Sequence, residues 1–156
     1  MIDVARLDFP LLKTQEEFRA EVSSQDIREA QETIRWADHI VFCYPLWLGT
    51  LPALLKGFLE QVFRDGFAMK MNPDGRGWSR LLKGKSARVV VTMGMPALMY
   101  RLFFGSHGLK SLERSILAFA GIAPIRASLI GLVNSRTQES RGRWLIRMQA
   151  MGRQAH

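Results

Sequence analysis

The chain of 156 residues, 47% hydrophobic and 23% charged, has the composition of one globular domain with a single core. No apolar run reaches bilayer-spanning length, and MIDVARLDFP lacks the basic-then-apolar pattern of a secretion leader, so a cytoplasmic protein is expected. The net charge of +8 is uneven, with 7 Lys+Arg against 11 Asp+Glu over residues 1–65 and 15 against 3 over 66–156, but it is dispersed without aromatic interleaving, which argues against nucleic-acid binding.

In chain order, Ile2 to Ala5 reads as the end of a strand and Arg6 to Val22 as an extended, mostly polar loop. Ser24 suits the cap of a helix over Gln25–Trp36, with Ile27, Ala30, Ile34 and Ala37 on one face. Asp38 ends it. Ile40 to Tyr44 is an unbroken apolar run without alternation, the pattern of a parallel strand covered on both faces. Within it, Cys43 is the only cysteine, so no internal disulfide or multi-Cys metal site exists, and a buried, inert thiol is expected. Pro45 stops the strand and Leu46 to Thr50 forms a loop. From Leu51 to Arg64, Leu54, Leu55, Phe58, Leu59 and Val62 recur at helical spacing, with Pro52 in the first turn.

The segment 65–85 carries a strong turn signal, NPDGRG, at 72–77. Arg88 to Met93 reads as a second buried strand, followed by a long loop through Gly108. Leu109, Leu112, Ile116, Leu117 and Ala120 mark a helix closed by Gly121 as a left-handed cap. Ile125 to Val133 is the third strand. Ser135 with Gln138 resembles a capping box opening a last helix, with Trp144, Leu145, Met148 and Met151 on one face. Trp36 and Trp144 are expected in the core, and Trp78 is expected to anchor the 65–85 segment. The alternation of helices and strands implies an α/β fold with a parallel sheet. Ligands of such sheets bind at the carboxyl ends of strands, which puts the loops after 39–44 and 88–93 first in any search for a site. No metal-ligand spacing or Ser-His-Asp order stands out, and His39 and the terminal His156 have no visible partner.

YPLWLGTLPALLKGFLEQVFRDGFAM resembles the signature of the flavodoxin-like NAD(P)H:quinone oxidoreductases, matching it at Tyr44, Pro45, Leu46, Gly49, Pro52, Ala53, Leu55, Lys56, Gly57, Phe58, Gly66, Phe67 and Ala68. The resemblance implies a three-layer α/β sandwich with a reduced parallel sheet. It also implies FMN or FAD as cofactor, NAD(P)H as hydride donor, a quinone-like acceptor and a homodimer. By the same resemblance Pro45, Leu46, Trp47 and Leu48 lie against the flavin ring, and Thr92, Met93 and Gly94 form the second cofactor loop. Tyr100 and His107 stand where the family places a Tyr and a His near the flavin's carbonyl edge. Such donors stabilise negative charge that builds up at the pyrimidine end of a ring accepting hydride. Tyr100 and His107 also read as ordinary loop residues. Trp47 reads either as a lid over the ring or as a half-buried loop residue. Met93, Met95 and Met99 suit a quinone pocket, with at least one of them in the core.

The sequence departs from the family at three points. The first strand and its phosphate-binding loop are not found, so the domain 1–156 reads as N-terminally truncated. Met69 and Met71 stand where the family often has tyrosines, and Gly94-Met95 replaces Gly-Gly. Without that first strand, 39–44 becomes a sheet edge, and either residues 1–6 or a second chain is expected to cover it. The alternative function is a non-catalytic flavodoxin-like binding or regulatory subunit that has lost flavin.

Overall fold

Five strands form in the computed structural model, which describes residues 1–74 and 76–154: β1 (His39–Pro45), β2 (Met69–Met71), β3 (Trp78–Arg80), β4 (Ser86–Thr92) and β5 (Ile125–Ile130). Gly75 of the predicted turn and His156 lie outside the described residues. The helices are α1 (Gln15–Arg19), α2 (Gln25–Trp36), α3 (Ala53–Val62), α4 (Ala97–Leu102), α5 (His107–Lys110), α6 (Ala118–Ala120) and α7 (Gln138–Arg153). Between α5 and α6 the backbone runs as a π-helix, Ser111–Leu117. The main sheet is parallel and three-stranded, in the order β1-β4-β5, with Phe42 level with Val89 and Ala127.

The register explains the core. Phe42, Tyr44, Val89 and Val91 point to one face and pack with Ile27, Ile34, Phe58, Leu59, Val62 and Leu117 in a single apolar cluster. The opposite face carries Val41, Cys43, Arg88, Val90 and Ser128. There Arg147 of α7 comes near enough to Arg88 to act on its charge, and Arg88 Nη1 donates to Ser128 Oγ at 2.8 Å. Burial, and then the neighbouring Arg126 and Arg147, lower the Arg88 pKa.

Burial on this face does not extend to β1. Val41 is 56% exposed and Cys43 is exposed too, so the expectation of a strand covered on both faces fails. Partial desolvation raises the Cys43 thiol pKa, which leaves it a weak nucleophile despite its exposure. Residues 1–6 do not repair the edge. Asp3 caps a 3-10 turn over Val4–Arg6 where a strand was expected, and Met1, Ile2 and Val4 instead line a cavity of about 350 Å³ with Ile40, Val41 and Phe58.

Other local expectations are revised. α1 forms inside the predicted polar loop because the Thr14 side chain accepts from the Glu17 N–H. Segment 65–85 contains the β2–β3 hairpin, whose turn is closed by Asn72 N–H donating to Gly77 O. Trp78 stacks on Phe119 with ring centroids 4.4 Å apart and anchors the hairpin as expected. β5 ends at Ile130, and Val133–Ser135 is a 3-10 turn. Thr137, not Ser135, caps α7, and Leu145 is exposed. Trp144 is half-buried under the guanidinium groups of Arg136 and Arg147 rather than in the core. Trp36 is 85% exposed, because it projects from α2 opposite Ile27. Gly121, at φ +100°, closes its helix as predicted.

The N-terminal arm is fastened by buried polar side chains of one helix end. Arg64 donates to Glu17 O at 3.1 Å and Ala20 O at 2.8 Å and bonds the Gln61 amide, while Gln61 Nε2 donates to Pro10 O at 2.6 Å. Arg64→Leu is expected to lower unfolding free energy by about 2–3 kcal/mol through these charge-assisted bonds. Limited proteolysis checks it: cleavage within 10–20 speeds up, while the rest of the domain stays resistant.

No helix among the described residues is long and apolar enough to cross a membrane.

Candidate functional site

Both predicted ligand loops emerge at the carboxyl end of the sheet and are sewn together. Leu46 N–H donates to Thr92 O at 2.7 Å, continuing the β1–β4 ladder past Pro45. Trp47 and Thr50 then exchange backbone hydrogen bonds of 3.0 Å around Leu48 and Gly49, both at positive φ (+48° and +80°). This is a type I′ turn, which normally takes Asn-Gly at its tip. The second loop starts at half-buried Thr92, buried Met93 and exposed Gly94. Met93 N–H donates to Ile130 O, and Val133 N–H returns to Met93 O. Of the three methionines, Met93 is core, while Met95 and Met99 remain accessible.

The long loop after β4 is not irregular, as expected, but holds α4, which starts directly after Pro96. Tyr100 on α4 is completely buried. Its hydroxyl accepts from Leu109 N–H at 3.1 Å and donates to Gly49 O at 3.4 Å, so it joins the two loops. Gly108 permits that approach: a Cβ there would lie 2.5 Å from Gly49 O and 2.6 Å from Thr50 Cα. His107 is exposed beside Tyr100, its ring folded against Gly105. Thus Pro45, Leu46, Trp47, Leu48, Thr92, Met93 and Gly94 lie on adjacent loops, His107 stands at their rim, and Tyr100 sits beneath them.

Two further groups escaped the sequence. Tyr44, under the first loop, is buried, and its hydroxyl has no partner among the described residues. Burial first, then Tyr100 and Glu113, push its pKa up. Glu113 lies in the π-helical stretch, a distortion common at functional sites. Burial raises its pKa, partly offset by Arg114 and Lys110. No spacing rule flags either residue, since their proximity is made by the π turn and the end of β1.

The Glu113 shift has a pH consequence. Its acid is weaker folded than unfolded, so its burial costs stability only above the unfolded value of 4.5, and the penalty is complete above the raised folded value. Glu113→Gln is expected to raise the melting temperature at neutral pH and to lose that advantage as pH falls below 4.5. Thermal melts across the acid range check the crossover.

Among the described residues, no group of three or more His, Cys, Asp or Glu is placed to hold a metal ion. Trp47, Leu48, Met99 and Phe104 leave exposed apolar side chains on these two loops. Apolar and aromatic side chains of this kind suit contact with a planar ring. For a phosphate tail, the described loops offer Arg101 and Arg136 but no Gly- or Ser-rich helix start.

Comparison with known proteins agrees with this architecture. A family model described as "Flavodoxin-like fold" matches residues 1–150. An uncharacterized NAD(P)H oxidoreductase of Haemophilus influenzae is 30% identical over 158 residues, covering 98% of this chain and 76% of the relative. An FMN-dependent NADH:quinone oxidoreductase of Ruegeria pomeroyi is 37% identical over 59 residues, 38% of this chain and 28% of that protein. The NAD(P)H:quinone oxidoreductase structure from Methanothermobacter marburgensis superposes with a TM-score of 0.76 at 26% identity, covering 99% of this chain and 80% of that one. The chain spans only 29% and 38% of the length of two ribosyldihydronicotinamide dehydrogenase relatives, from Penicillium crustosum and Homo sapiens. With a parallel sheet, loops meeting at its carboxyl end and a family match along nearly its whole length, the chain belongs to the flavodoxin-like family.

Proposed function

We propose that the chain is a cytoplasmic, flavin-dependent oxidoreductase that passes hydride from NAD(P)H to a quinone-like acceptor, with FMN the flavin in keeping with the Ruegeria relative's name. The observation that carries this reading is the joining of the two strand-end loops by the Tyr100 hydroxyl, with exposed apolar side chains on those loops and an exposed imidazole, His107, next to the Gly108 contact. Bound there, the flavin would supply reversible two-electron chemistry.

The chain's own residues would do the rest. The Pro45–Leu48 backbone and the Thr92–Gly94 loop hold the ring, and Trp47 and Met99 limit water above it. His107 offers a donor from Nε2 or Nδ1 to an oxygen at the rim, where negative charge is best stabilised. Tyr100 acts as a positioning residue: its hydroxyl is committed to Gly49 O and Leu109 N–H, so it sets the loops rather than touching a ligand. With donor and acceptor using one surface in turn, initial rates should give parallel lines when NAD(P)H is varied at several quinone concentrations. Absence of quinone-dependent NAD(P)H oxidation after flavin is supplied would contradict the reading.

One observation favours the second reading, a flavodoxin-like subunit without flavin: the loops described offer no backbone cradle for a phosphate.

The chain is further proposed to form a homodimer through the outer edge of β1, whose exposed Val41 and Cys43 make an adhesive strand. Val41→Lys is expected to leave a folded monomer, and sedimentation velocity compares it with the parent chain. Unchanged mass for the variant would refute that interface.

A further inference from the structure

We infer that the last helix carries a second site, which takes the phosphate group of a small anionic ligand. Ser140, Arg143 and Arg147 stand at i, i+3 and i+7 and so share one face of α7. Arg136, just before the Thr137 cap, joins them by donating from Nη1 to Ser140 Oγ at 2.9 Å. With Trp144 these residues line a cavity of about 240 Å³. Among the described residues, none from Pro45–Leu48 or Thr92–Gly94 lines it, so the site stands apart from the two strand-end loops and does not depend on flavin.

The guanidinium groups are held ready for an oxyanion. Arg136 Nε donates to Gly131 O at 2.8 Å, and Arg143 Nη1 donates to Glu139 Oε1 at 3.2 Å. The Trp144 ring braces two of them, with Arg136 Cζ 5.9 Å and Arg147 Cζ 5.3 Å from its centroid. Arg147 donates to none of the described residues, and most of the N–H donors of Arg136 and Arg143 are left over as well. A planar fork steadied in this way matches phosphate oxygens and loses little freedom on binding.

Fold stability does not explain the cluster. Arg88 and Arg126 are level neighbours on β4 and β5, and burial, followed by repulsion from Arg126 and Arg147, lowers the Arg88 pKa. Arg143 and Arg147 add a like-charge pair at i, i+4. Against these cations α7 offers one carboxylate, Glu139, already paired with Arg143, and none of the described α7 residues is fully buried. A phosphate monoester or diphosphate brings two or more negative charges and oxygens for several forks, which offsets that repulsion. Inorganic phosphates and nucleotides share this chemistry. Nucleic acid fits less well, because the indole is already engaged by two guanidinium groups and the row has no other ring on which successive bases could stack.

The test is isothermal titration calorimetry of the intact chain with pyrophosphate, ADP and adenosine at one low ionic strength. Pyrophosphate is expected to bind and adenosine is not. Binding of ADP as well assigns the site to nucleotides, and its absence assigns it to inorganic phosphates. Arg147→Gln is expected to weaken pyrophosphate about tenfold, through loss of one charge-assisted contact. Arg153→Gln removes the same charge from the last turn of the same helix, outside the cavity, and should leave the affinity unchanged. In thermal melts, pyrophosphate should raise the melting temperature of the parent more than that of Arg147→Gln. A chain that binds no pyrophosphate overturns the inference. Equal weakening by the two variants does so too, since attraction would then come from the diffuse field of the helix. So would a short single-stranded oligonucleotide that displaces pyrophosphate at far lower concentration, because the row would then belong to nucleic acid.

Discussion

Gly108→Ala is expected to lower unfolding free energy by about 3 kcal/mol, at the upper end of overpacking effects. The added methyl group would meet Gly49 O at 2.5 Å, Thr50 Cα at 2.6 Å and Thr50 Cβ at 3.0 Å. Two of these atoms belong to the backbone of a tight turn closed by paired hydrogen bonds, so no side-chain rotation relieves the contact. The turn must lift off α5. That movement also stretches the Tyr100 bond to Gly49, so structural damage and loss of the candidate site arrive together. Urea unfolding checks the magnitude. Gly142→Ala, at a helical glycine with open space around it, is the control and should be neutral or slightly stabilising.

Tyr100→Ala has the second large effect, about 3–5 kcal/mol, because a completely buried aromatic side chain is removed from packed surroundings. Tyr100→Phe separates the parts. It keeps the ring but leaves the buried Leu109 N–H without its acceptor, at about 1–3 kcal/mol. Under the proposed function it also unfastens the two loops. Flavin should then be held more weakly in Tyr100→Phe than its modest loss of stability accounts for. Equal flavin affinity in Tyr100→Phe and the parent would show that the hydroxyl serves folding alone.

The elements that position the site were legible where sequence pattern and three-dimensional environment coincide. The run Ile40–Tyr44 announces a strand in any setting, and Gly121 closes a helix through backbone geometry that depends on no partner. The loops at Pro45 and Thr92 follow from the strands themselves. Pattern and environment part where cover depends on elements distant in sequence. Val41 and Cys43 have the composition of a doubly buried strand, but on their face burial reaches Arg88, Val90 and Ser128 of β4 and β5 and stops short of β1. Trp36, nine residues after Ile27, falls on the opposite side of α2, so the helical period and not its hydrophobicity decides its exposure. Strands of three residues, such as β2 and β3, are too short to leave a period at all. The roles of Tyr100, Tyr44 and Glu113 depend on contacts 9 to 51 residues apart in sequence or on a π turn, and these become visible only in the folded chain.

The measurement that tests the central claim most directly is the visible absorption spectrum of the purified chain after incubation with excess FMN and desalting. The account predicts a retained yellow chromophore that NADH or NADPH bleaches anaerobically and a quinone restores, with retention reduced in Tyr100→Phe. A folded chain that emerges colourless, or one that holds flavin no nicotinamide reduces, would contradict it.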